Sequence, residues 1–137
     1  MAKRILAVDD HNDSLSLIGF ACEQAGFAFT AAHNQHEMQV ALAREVPDLL
    51  ILDVLLPGCN GYQVIEALHR AARTRAIPII VISKRGETLY RRMSADLGVA
   101  FHLTKPFNPE TLVAHARTIF GEIIPGIEPE SGAPFAR

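Results

Sequence analysis

Residues 49–61 read Leu49-Leu50-Ile51-Leu52-Asp53-Val54-Leu55-Leu56-Pro57-Gly58-Cys59-Asn60-Gly61. The opening apolar run is too short for a helix and shows no polar alternation, which is the pattern of a strand buried on both faces. It stops at an acid. A carboxylate at the end of a buried strand needs a partner or a task, because leaving it unpaired away from water is costly. Pro57-Gly58 and Asn60-Gly61 then mark a loop. A strand of this kind requires helices above and below it, and the flanking sequence supplies them.

Working outward, 5–8 and 77–82 are apolar runs of the same type, while 27–32 and 99–103 read as two further strands. Between them apolar residues recur at helical spacing. Leu15, Ile18, Cys22 and Ala25 form one such set, stopped by Gly26. Asn34 with Glu37 reads as a capping box opening a second helix over Met38, Ala41 and Leu42. Val64, Ile65, Leu68 and Ala72 give a third its inner face. Leu89, Met93 and Leu97 give a short fourth one, ended by Gly98. Asn108 caps a fifth whose first residue is Pro109, with Leu112, Val113, Ala116, Ile119 and Phe120 inward. Five strand–helix pairs in strict alternation predict an α/β domain. The expected architecture is a doubly wound, five-stranded parallel sheet in the flavodoxin-like order 2-1-3-4-5, with helices on both faces.

Ligands of such sheets bind beyond the carboxyl ends of the strands. The first strand delivers Asp9 and Asp10 there, the third Asp53, the fourth Ser83 and the fifth Lys105. Three converging carboxylates repel one another, and one ammonium cannot balance them. A hard divalent cation can, which points to magnesium, with manganese as an alternative. There is no glycine-rich nucleotide loop. The chemistry that remains is transfer of a phosphoryl group onto a carboxylate of the protein itself. His11 sits beside the acidic pair at the expected cleft rim and is not assigned as a metal ligand. His33, His36, His69 and His115 read as solvated.

Composition sets the outer bounds. The 137 residues suit one domain, and hydrophobic and charged shares of 49% and 20% are those of an ordinary globular protein. A net charge of -2 gives no field for nucleic acid or an anionic membrane. Cys22 and Cys59 lack metal or redox spacing and read as reduced thiols. With neither an export signal nor a membrane-spanning run, the expected location is the cytoplasm and no membrane insertion is expected. Residues 1–121 are expected to be the domain, and the Pro- and Gly-rich 122–137 a flexible tail or the start of a linker.

Four motifs in order carry a family resemblance: Asp9-Asp10 after the first strand, Leu52-Asp53 with Pro57-Gly58 beyond it, the run ending in Ser83, and Thr104-Lys105-Pro106-Phe107. Together they resemble the receiver domain of two-component response regulators over about residues 3–120. The resemblance implies a phosphoacceptor at Asp53. It implies magnesium on Asp10, Asp53 and the Leu55 carbonyl, with Asp9 acting through water, and Lys105 paired with the phosphoryl group. Ser83 would move to bond that group, and the Lys105–Pro106 peptide would be cis. The implied donor is a sensor histidine kinase or a histidine phosphotransfer protein. The implied output is a protein contact through the fourth helix, fifth strand and last helix, with no direct nucleic-acid binding.

Alternatives from the same reading are the receiver portion of a longer regulator and a flavodoxin-like ligand-binding module. The chain departs from the family at His102, where a Tyr or Phe is usual. His102 is expected to point outward and swing inward when neutral, making output pH-sensitive between about pH 6 and 7. Lys84, after the hydroxyl, is expected to restrict the cleft or attract an anionic donor. Asn60, where Asp is frequent, reads as a neutral turn change.

Overall fold

The computed structural model describes residues 2–122, so the expectation for the tail falls, from residue 123 onward, outside the described residues. Five strands, β1 (Arg4–Val8), β2 (Ala28–Ala32), β3 (Leu49–Asp53), β4 (Ile79–Ser83) and β5 (Phe101–Thr104), alternate with five helices. The helices are α1 (Asn12–Gln24), α2 (Gln35–Arg44), α3 (Gly61–Arg70), α4 (Thr88–Asp96) and α5 (Pro109–Ile119). The sheet is wholly parallel in the order β2-β1-β3-β4-β5.

The two-residue period of a strand divides each apolar run between two cores. Leu6, Val8, Leu50, Leu52, Ile79 and Val81 pack with Met38, Leu42, Val64, Ile65 and Leu68 on one face. Ile5, Ala7, Leu49, Ile51, Ile80 and Ile82 pack with Leu15, Ile18, Cys22, Leu112 and Ala116 on the other. Every residue of β3 and β4 is buried, which is why these strands lack alternation. Removing one such side chain, as in Ile51→Ala, costs about 2–5 kcal/mol in a close-packed core.

Several local readings change. Ala72 is exposed and lies beyond α3, in a turn where the Thr74 hydroxyl donates to the Leu68 carbonyl at 2.6 Å. Leu89 is also exposed, and the inward side of α4 carries Tyr90, Met93, Ser94 and Leu97 instead. The capping box of α2 is half formed. The Glu37 N–H donates to Asn34 Oδ1 at 2.8 Å, but the Glu37 carboxylate accepts from the His33 N–H at 2.7 Å, outside the helix. Asn60 is more than a turn residue: its Oδ1 accepts from Tyr62 N–H at 3.0 Å and caps α3. His115 is buried. It falls on the inner stripe of α5 with Leu112 and Ala116, and its ring stacks on Phe101 with centroids 3.9 Å apart. Burial lowers its pKa below 6.5.

Candidate functional site

The parallel sheet brings Asp9, Asp53, Ser83 and Lys105 to one edge. Asp53 ends β3 and Ser83 ends β4, while Asp9 and Lys105 each follow the last residue of β1 and β5. Lys105 Nζ lies 2.7 Å from Asp9 Oδ2 and 2.9 Å from Asp53 Oδ2, donating to both. The opposite oxygen of Asp53, Oδ1, accepts the Leu55 N–H at 2.9 Å. Oδ1 of Asp9 accepts the His11 N–H at 3.0 Å. Gly61 closes the loop behind Asp53: a Cβ there would collide with Val54, so α3 can start this close to β3 only on a glycine. The Lys105–Pro106 peptide is cis.

Burial and charge divide the two acids. Burial pushes the Asp53 carboxyl above its ordinary 3.8, and the Leu55 N–H and Lys105 oppose the rise without cancelling it. Burial also acts on Asp9, but bonds from Lys105 and the His11 N–H outweigh it and hold that carboxyl below 3.8. Lys105 is held above 10.5: burial would lower it, yet the two carboxylates prevail. Asp10 is partly exposed, at the rim. Side-chain atoms of Asp9, Asp10, His11 and Asp53 all lie within 4.8 Å of one another. Three carboxylates against one ammonium leave negative charge that a divalent cation would neutralise, so the donor set fits a hard metal ion. The adjoining cleft, about 510 Å³, is lined by Asp10, His11, Asn12, Asp13, Ser14, Lys84 and Lys105. Lys84, an exposed residue, is thus part of its lining.

A second polar cluster starts at Ser83. Its buried Oγ accepts the Arg85 N–H at 2.9 Å. The Arg85 carbonyl lies 3.2 Å from His102 Nε2, and His102 Nδ1 lies 2.8 Å from Ser94 Oγ. His102 is thus buried and turned inward, contrary to the outward orientation expected. Histidine differs from an aromatic hydrocarbon here because it has two ring nitrogens to satisfy, and the Arg85 carbonyl and Ser94 hydroxyl satisfy both. Burial lowers its pKa below 6.5. The bond to the Arg85 carbonyl opposes this, and the positive charge of Arg91 adds to it. The pH window expected from the sequence therefore moves down.

Ser94 and the Arg85 backbone were not singled out in the sequence. Ser94 had a signal, a small polar residue on the inward stripe of α4 between Tyr90 and Leu97. The Arg85 carbonyl had none, since any residue carries one. His33, read as solvated, is exposed but bonded, with Nε2 2.7 Å from Asn12 Oδ1 and Nδ1 2.9 Å from Glu37 Oε1.

Comparison with known proteins places this edge in context. The profile of the response regulator receiver domain matches residues 5–117. The chain is 37% identical over 125 residues to the phosphate regulon transcriptional regulatory protein PhoB of Escherichia coli strain K12, covering 91% of this chain and 55% of that protein. It is 38% identical over 116 residues to the transcriptional regulatory protein CpxR of the same organism, covering 85% and 48%. The chain thus spans about half the length of these relatives. A putative response regulator from Chloroflexus aurantiacus superposes with a TM-score of 0.82 at 27% identity, over 89% of this chain and all of that one. The chemotaxis response regulator CheY4 of Vibrio cholerae shares the fold, with a TM-score of 0.79 at 24% identity over 87% and 99%.

Proposed function

The chain belongs to the response regulator receiver family, and on that premise we propose that Asp53 is its phosphoacceptor, charged by a phosphohistidine donor with magnesium present. The observation that carries this is the placement of Asp53: a buried carboxylate at the end of a central strand, bonded by Lys105 and the Leu55 N–H and grouped within 4.8 Å with ligand atoms of Asp9, Asp10 and His11. An Asp53 oxygen attacks phosphorus and forms the acyl-phosphate P–O bond. The donor's P–N bond breaks, and its imidazole leaves with the electron pair and takes up a proton. Lys105 remains as the fixed positive charge beside the new phosphoryl oxygens. Magnesium, or manganese, would be held by Asp10 and Asp53 with the Leu55 carbonyl, and by Asp9 through water. It would neutralise charge on the transferring group. In this reading the chain is a signalling phosphoacceptor, with any promotion of its own phosphorylation and dephosphorylation resting on the same residues.

The Ser83 hydroxyl links transfer to output. It is committed to the Arg85 N–H, and turning it toward a phosphoryl oxygen on Asp53 releases that N–H. The Arg85 carbonyl, and with it His102 and Ser94, then lose a fixed neighbour. The surface of α4, β5 and α5 is the face that would change and meet a downstream protein. The donor would be a sensor histidine kinase or a histidine phosphotransfer protein, and the setting the cytoplasm. Residues 1–121 would form the receiver and 122–137 a tail or linker. The greater length of the relatives favours a second reading of the whole, in which this chain is the receiver portion of a longer regulator.

The test is incubation with a small acyl phosphate and magnesium, read by intact mass. Wild type gains one acid-stable, base-labile phosphoryl group, and Asp53→Asn gains none while keeping its circular dichroism. Labelling of Asp53→Asn at the wild-type rate, or full labelling of wild type in excess chelator, contradicts the assignment.

A further inference from the structure

We propose that His11 is itself a ligand of the cation site, so that the cleft is a mixed nitrogen–oxygen site suited to late first-row divalent ions such as nickel(II) and zinc as well as to magnesium. The inference rests on the reading of the Asp9, Asp10 and Asp53 cluster as a cation site and extends it to an imidazole.

The geometry begins with the backbone. His11 is the residue before α1, in extended conformation, and its N–H is fixed on Asp9 Oδ1. That bond turns the ring back over the acids, where Nδ1 lies 3.3 Å from Asp9 Oδ1 and 3.2 Å from Asp10 Oδ1. An octahedral ion with bonds near 2.1 Å sets neighbouring ligand atoms about 3.0 Å apart and opposite ones about 4.2 Å apart. The His11–Asp10 distance of 3.2 Å is close to the shorter edge, while the 4.8 Å spread over Asp9, Asp10, His11 and Asp53 exceeds the longer, so the ligands would draw together around an ion. The carboxylate oxygens are also divided between two cations. Lys105 takes Oδ2 of Asp9 and of Asp53, leaving Asp9 Oδ1 and Asp10 Oδ1 facing His11. The nitrogen that faces those oxygens as a donor offers a lone pair in the other neutral tautomer. The ring is about half exposed, so it can adjust to an ion without unpacking a core.

Chemistry then sets the preference. Magnesium takes oxygen ligands and gains little from imidazole. Nickel(II) and zinc bind imidazole well, and both stand high in the divalent affinity order. His11 should therefore matter for those ions and not for magnesium. If it served only to hold the Asp9 turn, its removal would affect all ions alike or none.

The experiment is isothermal titration of magnesium, nickel(II) and zinc into the full chain as wild type, His11→Ala, His11→Gln and Asp10→Ala, with thermal unfolding as the check on folding. The expected result is at least about a tenfold loss of nickel and zinc affinity in both His11 variants, with magnesium affinity within about twofold of wild type. Asp10→Ala should weaken all three. Nickel and zinc binding unchanged in the His11 variants places those ions elsewhere, as on His33 and His36, and overturns the proposal. So does an equal loss for magnesium. If wild type binds nickel through His11 and Asp10 but not magnesium, the His11 assignment stands and the magnesium reading fails. If wild type binds none of the three, both fail.

Discussion

Two polar clusters are buried at the carboxyl edge of one sheet, and they satisfy themselves in different ways. At Asp9, Asp53 and Lys105 the groups are charged, and their sum is negative. At Ser83, Arg85, His102 and Ser94 the groups are neutral, and each hydrogen bond has its partner. The first is therefore incomplete by charge, and on the proposed reading a cation would complete it and allow a phosphoryl group to be accepted. The second is complete, and changes only if one of its members is called away. Ser83, a member of the neutral cluster, ends β4, which lies between β3, ending in Asp53, and β5, which carries His102. On the proposed reading, chemistry belongs to the first cluster and readout to the second.

Removing the ammonium should have the largest effect on stability. Lys105→Met leaves two buried carboxylates uncompensated, and in metal-free buffer we expect a loss of about 3–5 kcal/mol in urea unfolding. Magnesium should restore part of it by taking the place of the charge. An undiminished stability, or one indifferent to magnesium, would remove the distinction between the clusters. A smaller loss, about 1–3 kcal/mol, is expected for Ser94→Ala, which strands His102 Nδ1 without a partner. Magnesium should not recover that loss. Recovery would mean that the neutral cluster is coupled to the cation without any phosphoryl group.

The smallest effect concerns pH. His102 and His115 both have folded-state pKa values below 6.5, so the unfolded chain binds their protons first. Their contribution is whole above about pH 6.5 and is lost as pH falls from there through the folded values. The slope can reach at most about 1.4 kcal/mol per pH unit for each histidine. The groups facing His102 are the Ser94 hydroxyl and Arg91 of α4, with the Arg85 carbonyl, and none is acidic. His115→Phe, which keeps an aromatic ring against Phe101, should flatten the slope measured between pH 7 and 5. An unchanged slope would assign the dependence to other groups.

The charged cluster could be read from the sequence because each of its members interrupts a pattern. Asp53 stops a run of four apolar residues, and Asp9 and Lys105 follow strands whose order the alternation of elements already implies. The order of strands was readable for the same reason. The neutral cluster was hidden because two of its three contacts are made by a backbone carbonyl and by a serine on a helix with few apolar residues. His102 was misplaced because the expectation followed the cost of burying a charged imidazole, whereas its orientation follows the partners of its two nitrogens. Ala72 was misassigned because α3 ends before it, in a turn that helical spacing alone does not locate, and Leu89 because it lies in the first turn of α4 on the exposed side. His115 sits at the right spacing for the core, and a titratable side chain obscured that signal.

The claim that one cluster reacts and the other reports can be tested on the histidine ring itself. Nitrogen-15 and carbon-bound proton shifts of His102 should be recorded in chain labelled at histidine, before and after addition of a small acyl phosphate with magnesium. In wild type the Nε2 and Nδ1 signals of His102 should move as Asp53 is phosphorylated, because Ser83 leaves the Arg85 N–H. In Asp53→Asn they should stay where they were. Full phosphorylation of Asp53 with the His102 signals unmoved would contradict the claim.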